Sequence, residues 1–238
     1  MKSLILTLRA EQPIRLPLAY NHLVQGMLYD NWREKFPYLH KRGWSDGTHA
    51  FRLFTFGPLT GRYRVESKNI VFDETVRLEV RSPSDELIDA LADSLSARNT
   101  VRIGHAKFPI VSLSCADRLL FFPEARIRML SPVTVHDTLP DGRTVYYAPT
   151  EEIFYERLAG NLAAKLSAAG SCAAPLLGCE PYGCCPRKRV TTFKGNYVTA
   201  YEGDFLLNAE PEAMALLYYA GLGDRNSAGF GMFAIEDN

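Results

Sequence analysis

Apolar and polar positions in the first half of the chain alternate between the two-residue period of strands and the longer period of amphipathic helices. Aromatic and branched residues alternate with polar ones in the strand-like runs. Ser-Pro followed by acidic residues marks the start of a helix, because these residues favour its first turn. In chain order, this half predicts a strand at 3–10, a helix within 16–32, strands at 51–57 and 74–82, a helix at 82–97 and a strand at 100–114, bent at Pro109.

The second half repeats this order of elements. Thr150 is the predicted N-cap and Gly170 the predicted C-cap of its first helix. A loop rich in Gly, Pro and Cys follows that helix, and Gly195 and Gly203 predict turns between short strands. In chain order, this half predicts a strand at 125–135, a helix at 150–170, strands at 189–195, 197–203 and 204–209, a helix at 210–221 and a strand at 229–237.

Each half therefore has the order β-α-β-β-α-β, which is typical of the ferredoxin-like fold. The pattern predicts an α+β protein of two tandem ferredoxin-like domains, residues 1–122 and 123–238, joined near the segment 121–126. An antiparallel sheet with both helices on one face leaves the other face free. Two such domains side by side predict a cleft between them that suits an extended ligand.

Composition narrows the class of partner only slightly. The chain has 238 residues, with 27 basic and 27 acidic side chains, so a wholly basic nucleic-acid-binding protein is excluded. A local basic patch remains compatible with zero net charge, because binding depends on where charges lie. The sequence contains no apolar run of membrane-spanning length, and its first apolar run is too short for a signal peptide. We therefore expect a cytoplasmic protein that does not enter a membrane.

Five cysteines raise the question of a metal site. Four lie together in the segment 171–185, with the spacing C-x6-C-x4-C-C. This spacing lacks the paired C-x-x-C units of zinc sites, and an odd number of cysteines without an export signal argues against a disulfide framework. Reduced thiols in a loop are favoured over a zinc site, so neither a metal nor another cofactor is expected.

A glycine-rich loop, GLGDRNSAGFGMF, occupies residues 221–233. Its glycine spacing matches neither the dinucleotide-binding motif nor the P-loop, and it follows a helix and precedes a strand. Two interpretations stay open. Backbone N–H groups at Gly223, Gly229 and Gly231, together with Arg225, could bind an anion. Alternatively, the glycines let two elements pack closely.

The segment 186–195 is the densest basic stretch of the chain and contains no acidic residue. It carries Arg187, Lys188, Arg189 and Lys194. Strand alternation places Arg187 and Arg189 on one face and Lys188 on the other, and focused charge of this kind suits phosphate contacts. A solvated edge strand protected by charges is the competing interpretation. Nearby Phe193 and Tyr197 could stack on bases or fill a core.

Segments spread over nearly the whole chain share one resemblance. They are LPLAYNHLVQGMLY (16–29), LHKRG (39–43), FRLFTFG (51–57), SPVTV (131–135), EEIFYERLAGNLAAKL (151–166), YVTAYEGDFLL (197–207) and the closing glycine-rich loop. In this order they resemble CRISPR-associated RAMP proteins, and more narrowly the endoribonuclease family that cuts precursor CRISPR RNA within its repeats. The resemblance implies metal-independent cleavage, in which a 2′-hydroxyl attacks the adjacent phosphate and leaves 2′,3′-cyclic phosphate and 5′-hydroxyl ends.

That reaction requires a base, an acid and a cation near the phosphoryl oxygens. The resemblance places His40 in the family's catalytic segment, as the general acid–base residue, and histidine titrates near neutral pH. Without the resemblance, a histidine in a loop is more often a solvated side chain. His22 lies in the first predicted helix, in a structural role or near the site, and His49 is the fallback.

Two further residues complete the implied catalytic set. Tyr29 matches a helical tyrosine of some family members and could orient or deprotonate the 2′-hydroxyl, but it could equally be a core aromatic. Arg52 stands where some relatives have lysine. Arginine keeps the charge but is a poor proton donor, so charge stabilisation is its expected role. Lys41 and Arg42 are substitutes for this cation.

The sequence thus predicts an endoribonuclease that processes CRISPR repeat RNA into guide RNA for antiviral defence. The alternative is a non-catalytic RAMP subunit that binds CRISPR RNA in an effector complex. Repeat RNA is the expected partner, with other effector subunits and a second copy of the chain as further expectations. Nucleophilic-enzyme, metalloprotease and metal-nuclease motifs do not occur in the sequence.

Overall fold

The structure of the chain is a computed structural model, which describes residues 1–9, 12–41, 43–48, 50–116 and 119–236. The elements of the first half are β1 (Lys2–Arg9), β2 (Ile14–Pro17), α1 (Asn21–Trp32), β3 (Trp44–Ser45), β4 (Ala50–Phe51), β5 (Thr55–Phe56), β6 (Thr60–Glu66), β7 (Asn69–Ser82), α2 (Asp85–Ser96), β8 (Thr100–Ile103) and β9 (Ala106–Ala116). Those of the second half are β10 (Glu124–Met129), β11 (His136–Thr138), β12 (Thr144–Tyr146), α3 (Glu152–Ala169), β13 (Gly178–Phe193), β14 (Asn196–Asn208), α4 (Pro211–Ala220), a 3-10 turn (Asn226–Ala228) and β15 (Phe233–Ile235).

Two antiparallel sheets confirm the predicted tandem ferredoxin-like architecture. The second-half sheet has the order β13-β14-β10-β15, so its first strand lies between its third and fourth. The first-half sheet repeats this arrangement, with β1 between β7 and β9, while β2, β5 and β6 each pair with β7. Each sheet shares an apolar core with the helices of its own half. The domain boundary at residue 122 stays a prediction.

The helix signals in the sequence lie close to the observed helix ends, but two of them are displaced. The Ser-Pro start signal at 82–83 lies two residues before the observed cap of α2, and the Thr150 cap lies one residue before that of α3. Ser84 accepts a hydrogen bond from the N–H of Leu87 and caps α2, as Ser, Asp and Thr do at helix starts. Gly170 ends α3 with a φ of 67°, the left-handed conformation that favours glycine. The prediction of Thr150 as N-cap is wrong by one residue, because Glu151 has the extended backbone and its side chain makes no cap bond. None of the four described helices has the length and apolar character that a membrane crossing requires.

Strand predictions are wrong in two situations. Either the chain turns where no turn was predicted, or a strand continues through a predicted turn. The segment 100–114 is a hairpin that turns at Gly104, rather than one strand bent at Pro109. The segments predicted as three strands over 189–209 form only parts of two long strands, β13 and β14. Gly203 lies inside β14, where an added Cβ would be 3.1 Å from the Cα of Pro186, so it is no turn.

Other differences come from short or irregular elements. The strands β2 and β6 and the small hairpin of β11 and β12 were not predicted, because each carries few alternating apolar positions. The predicted strand at 51–57 is broken into two-residue pieces, and β13 begins inside the segment predicted as a cysteine-containing loop. Leu18, counted in the helical pattern, lies before α1 and is exposed.

The two halves meet along the segment 50–56. Leu53 comes from the first half but is buried in the core of the second. Arg81 is 3% exposed, donates 2.6 Å to the carbonyl of Phe233 in β15 and packs over the ring of Tyr218. Thr55 donates to the carbonyl of Phe230. The halves are therefore joined by buried side chains and by hydrogen bonds to the backbone of the C-terminal segment.

The glycine-rich loop lies against α1 of the first half. Asn21 donates to the carbonyls of Ala228 and Gly229, and Gln25 donates 2.8 Å to the carbonyl of Ser227. Gly229 has a φ of 84°, and a Cβ there would lie 2.6 Å from Cε2 of Phe56. This glycine is thus required both by backbone conformation and by the close approach of the two halves.

We expect Gly229→Ala to lower the free energy of unfolding by about 2–4 kcal/mol, because the methyl group meets Phe56 in a strained backbone conformation. Urea unfolding followed by circular dichroism measures this change. The matched control is Gly26→Ala in α1, where nothing lies within 4 Å of the added Cβ. That variant should be stabilised by up to about 1 kcal/mol, since alanine is the better helix former. Equal effects of the two substitutions would contradict the packing role.

Candidate functional site

A pocket of about 380 Å³ lies between the two halves and is lined by residues of both. From the first half it receives the end of α1, His40 and the segment 50–54. From the second half it receives parts of α3, the β13–β14 turn and the glycine-rich loop. All three predicted catalytic residues, Tyr29, His40 and Arg52, line this pocket. Whether it forms part of a longer cleft for an extended ligand stays a prediction.

Tyr29, His40 and Arg52 are brought together by different elements. The rings of Tyr29 and His40 meet edge to face with centroids 4.9 Å apart. Arg52 donates 2.7 Å to the backbone carbonyl of His40 and 3.2 Å to that of Ala50. The guanidinium therefore fixes the position of the loop that carries His40. The His40 side chain itself is exposed toward solvent.

Tyr29 is half-buried at the C-terminal part of α1. Burial raises the pKa of its phenol, while the charge of Arg52 and hydrogen bonding with Ser227 and Arg52 partly oppose that rise. Its ring also packs against Phe54 and Trp32. The two alternatives from the sequence therefore coexist in one residue, since the ring belongs to the core and the hydroxyl reaches the pocket residues Arg52 and Ser227.

The substitute candidates are placed less centrally. Lys41 is exposed and is not part of the pocket wall. His22 shares a hydrogen bond with the carbonyl of Ala19 at the start of α1. His49 and Arg42 lie outside the described residues. The roles of all these residues stay predictions.

Sequence reasoning singled out Lys194, Gly223 and Arg225, which line the second-half wall of the pocket. It missed polar side chains beside them, including His136, Asn161, Lys165 and Asp224. His136 begins β11, and its ring Nδ1 lies 2.8 Å from Oδ2 of Asp224. Asp224 also accepts hydrogen bonds from the backbone N–H of His136 and from the amide of Asn161, both at 2.9 Å. Arg225 places Nη2 3.5 Å from Nε2 of His136. The signal available in the sequence was the Asp-Arg pair inside the glycine-rich loop.

Lys165 is the buried centre of this wall. It is 2% exposed, and its ammonium donates to the carbonyls of Gly221 and Gly223 and to Oδ1 of Asn226, at 2.7–2.8 Å. The amide nitrogen of Asn226 donates in turn to the carbonyls of Leu222 and Phe230. One lysine of α3 and one asparagine thus hold the backbone of the glycine-rich loop at four carbonyls.

The three glycines predicted to contact RNA also have packing reasons to be glycine. Gly223 and Gly231 are buried with positive φ, and a Cβ would lie 2.6 Å from the carbonyl of Thr134 and 2.0 Å from that of Leu222, respectively. The N–H groups of Gly229 and Gly231 donate to carbonyls within the protein. Direct contact of these glycines with RNA stays a prediction, and the close-packing interpretation accounts for their conformation.

The basic segment lies on the long β13–β14 hairpin. Arg187 and Arg189 both approach Glu202, at 3.5 and 2.8 Å, so they share one face and are partly neutralised. Lys188 is exposed. Lys194 sits in the turn with a φ of 50° and lines the pocket, next to Phe193. Tyr197 is 75% exposed and therefore free to stack, whereas Phe193 is partly buried against a small cluster.

The five cysteines, all among the described residues, form no disulfide bonds. Cys115, Cys172, Cys184 and Cys185 are exposed, while burial raises the pKa of the Cys179 thiol to about 12. Within the ranges that the structure describes, no group of three His, Cys, Asp or Glu side chains is arranged to hold a metal ion.

The fold and this inter-domain pocket define a class of protein. The chain superposes on a solved structure described as an RAMP protein binding different RNA substrates, with a TM-score of 0.84, 19% identity and full coverage of both chains. A structure of a Cas6-related gene product from Pyrococcus furiosus gives the same TM-score at 17% identity, covering 100% of this chain and 98% of that one. The chain therefore has the tandem ferredoxin-like fold of RAMP proteins.

Sequence comparison narrows the class. Residues 120–235 match the family described as CRISPR associated protein Cas6, C-terminal. The "CRISPR-associated endoribonuclease Cas6" of Pyrococcus furiosus is 23% identical over an alignment of 241 positions, which covers 96% of this chain and 86% of that protein. The "CRISPR-associated endoribonuclease Cas6 1" of Methanocaldococcus jannaschii is 25% identical, covering 93% and 88%. The chain is thus similar to Cas6 proteins along nearly its whole length, and its C-terminal half matches the Cas6 family.

Lys165 makes the stability of the chain depend on pH. Its three acceptors and the charge of Asp224 favour the ammonium, but complete burial lowers the pKa to about 7. Between about pH 7 and 10.4 the unfolded chain binds a proton at this lysine that the folded chain does not, so the free energy of unfolding rises with pH. Below about pH 7 Lys165 is protonated in both the folded and the unfolded chain. Its contribution to the free energy of unfolding is then at its lowest and does not change with pH.

Urea unfolding of wild type and Lys165→Met at several pH values from 6 to 10 measures this contribution. The free energy of unfolding of wild type minus that of Lys165→Met should increase with pH. The expected increase is on the order of 1 kcal/mol per pH unit between about pH 7 and 10.4. Exposed Lys188→Met is the control and should give a flat difference. A flat difference for Lys165→Met as well would mean that the folded chain keeps this ammonium charged.

Proposed function

We propose that this chain is an endoribonuclease that cleaves precursor CRISPR RNA within its repeats. The observation that carries the proposal is the convergence of Tyr29, His40 and Arg52 on one wall of the inter-domain pocket. Relatives that share nearly the whole chain length are named CRISPR-associated endoribonucleases. Two structures of the same fold, with TM-scores of 0.73 and 0.63, are described as Cas6 product complexes.

The proposed reaction is transfer of the phosphoryl group to the 2′-oxygen of the preceding nucleotide. The 2′-hydroxyl loses its proton and attacks phosphorus, the bond to the 5′-oxygen breaks, and that oxygen takes up a proton. The products are a 2′,3′-cyclic phosphate and a 5′-hydroxyl. His40 acts in proton transfer, Tyr29 orients the 2′-hydroxyl, and Arg52 stabilises charge on the phosphoryl oxygens. DNA lacks the 2′-hydroxyl and is not cleaved.

The distribution of ion pairs supports a phosphate ligand in the pocket. Many arginines on the surface face a carboxylate, as Arg64 faces Asp73 and Arg128 faces Asp204. Among the described residues, the pocket cations Arg52, Lys194 and Arg225 have no such partner. Leaving several cations unneutralised in a concave site is costly unless an anion binds there. The positive charge that the reaction needs is thus supplied by side chains, which supports cleavage without a metal.

The RNA is proposed to reach this pocket across the β13–β14 hairpin. Lys188 and Lys194 carry unneutralised charge for backbone phosphates, Arg187 and Arg189 add partly neutralised charge, and exposed Tyr197 offers a ring for base stacking. Arg225 extends this basic path into the glycine-rich loop. A purely RNA-binding RAMP role is not favoured, because the named relatives are endoribonucleases. Effector subunits and a second copy of the chain remain expected partners.

We expect His40→Ala to reduce the single-turnover cleavage rate of repeat RNA by at least about 100-fold, because proton transfer is lost, while RNA affinity stays within about threefold. Cleavage by wild type should persist in EDTA, and end mapping should find a cyclic phosphate and a 5′-hydroxyl. Gel shift and single-turnover assays provide the two readouts.

The matched control for this substitution is His105→Ala, an exposed histidine remote from the pocket. It should cleave at the wild-type rate. If His40→Ala cleaves as fast as wild type, the assignment of His40 is wrong. If wild type itself leaves repeat RNA uncut but binds it, the non-catalytic alternative holds.

A separate substitution tests the basic hairpin. Lys194→Asn removes the charge but suits the left-handed backbone of the turn, because asparagine before glycine favours this geometry. We expect it to weaken RNA binding by about 3–10-fold. The slope of log Kd against log salt concentration should fall by the amount that corresponds to the loss of nearly one phosphate contact. Lys68→Ala, in another exposed turn, is the control. An unchanged salt slope for Lys194→Asn would remove Lys194 from the RNA path.

A further inference from the structure

His136 is positioned by Asp224 on one side and by Tyr146 on the other. The backbone N–H of His136 and the amide of Asn161 bind the two oxygens of Asp224, which fixes the carboxylate. The ring Nδ1 lies 2.8 Å from that carboxylate, within ion-pair distance although not in hydrogen-bond geometry. On its other side the ring packs against Tyr146, with centroids 5.6 Å apart. Asp224 thus holds one ring nitrogen, and the other is directed away from it.

The second ring nitrogen faces Arg225 across a short gap. Nε2 of His136 and Nη2 of Arg225 are 3.5 Å apart, a marginal distance for a hydrogen bond. One anionic oxygen lying beside both nitrogens can accept from Nη2 of Arg225 and, when Nε2 carries a proton, from His136, because an oxygen anion has several lone pairs. Both residues line the inter-domain pocket. The pair therefore presents two nitrogen groups that a single phosphate oxygen can contact.

Arg225 has features that folding alone does not explain. Its φ is 54°, a left-handed conformation that a non-glycine residue adopts at a cost. Its Nε is buried and, among the residues that the structure describes, has no hydrogen-bond partner, and the same holds for Oδ1 of Asn161. The neighbouring loop positions 221, 223, 229 and 231 are glycines with positive φ. These features favour a role for the Arg225 guanidinium in binding a ligand.

We propose that His136 and Arg225 bind one RNA phosphate other than the scissile one, and that Asp224 is the positioning residue for His136. This inference rests on the proposed function and adds a binding site in the second-half wall of the pocket, whereas Tyr29, His40 and Arg52 line it from the first half.

The test uses the full chain and a labelled RNA that contains one CRISPR repeat from the genome that encodes the chain. A 2′-deoxynucleotide at the cleavage position prevents cutting, so Kd is measured without reaction. We expect His136→Ala to raise Kd by about tenfold. The slope of log Kd against log salt concentration should fall by the amount that corresponds to about one phosphate contact. His136→Arg places guanidinium donors at this position and should restore affinity to within about threefold of wild type. His105→Ala is the control and should leave Kd unchanged.

Arg225→Gly is the second variant, because glycine suits the left-handed backbone while the whole side chain with its guanidinium is removed. Since one phosphate binds both side chains, the double substitution should weaken binding by clearly less than the product of the two single effects. Thermal melting within a few degrees of wild type establishes that each variant is folded.

Cleavage of the all-RNA substrate at saturation separates binding from chemistry. At subsaturating RNA the single-turnover rate of His136→Ala should fall in proportion to the rise in Kd. At saturating RNA any fall should be far smaller than that of His40→Ala, because the lost contact is a binding contact. An unchanged Kd for His136→Ala would overturn the proposal. It would also be overturned if the effects of the two substitutions on Kd multiplied in the double variant, or if the single-turnover rate of His136→Ala at saturating RNA fell strongly. Failure of wild type to cleave the all-RNA repeat would instead overturn the proposed function.

Discussion

The arrangement of the second half depends on the hydrogen bonds that Lys165 and Asn226 make along the glycine-rich loop. A buried ammonium is tolerated only when it is well solvated by acceptors, and here two backbone carbonyls and one amide oxygen take that part. Asn226 then binds two more carbonyls of the same loop. A loop with four glycines of positive φ would otherwise lose much conformational entropy on folding, so these bonds determine its single conformation.

Fixing this loop has consequences on both of its sides. On one side, Ala228 and Gly229 contact Asn21 and Phe56, which joins the C-terminal segment to the first helix and sheet. On the other side, Asp224 and Arg225 are held at the pocket, where Asp224 orients His136. The same loop therefore joins the two halves and forms a wall of the site. Glycine is needed for the first task, and the Asp-Arg pair serves the second.

The pocket combines groups with different degrees of constraint. Tyr29 is held by core packing and Arg52 by two carbonyls, whereas His40 is exposed on a loop that Arg52 supports. A general acid–base residue benefits from access to solvent, while charge stabilisation benefits from fixed dipoles. This division agrees with the proposed chemistry, in which the cation is preorganised and the proton carrier is exposed to solvent.

The sequence by itself predicted the β-α-β-β-α-β order of each half, the tandem ferredoxin-like fold and the family resemblance, because periodicity, turn residues and ordered segments are local signals. It failed where the chain reversed or continued without such a signal, as at Gly104 and Gly203. Only the tertiary structure brought His136, Asn161 and Asp224 together, and only it showed that Glu202 partly neutralises Arg187 and Arg189. Burial and pairing depend on residues distant in the chain, and local patterns carry no information about which of them meet.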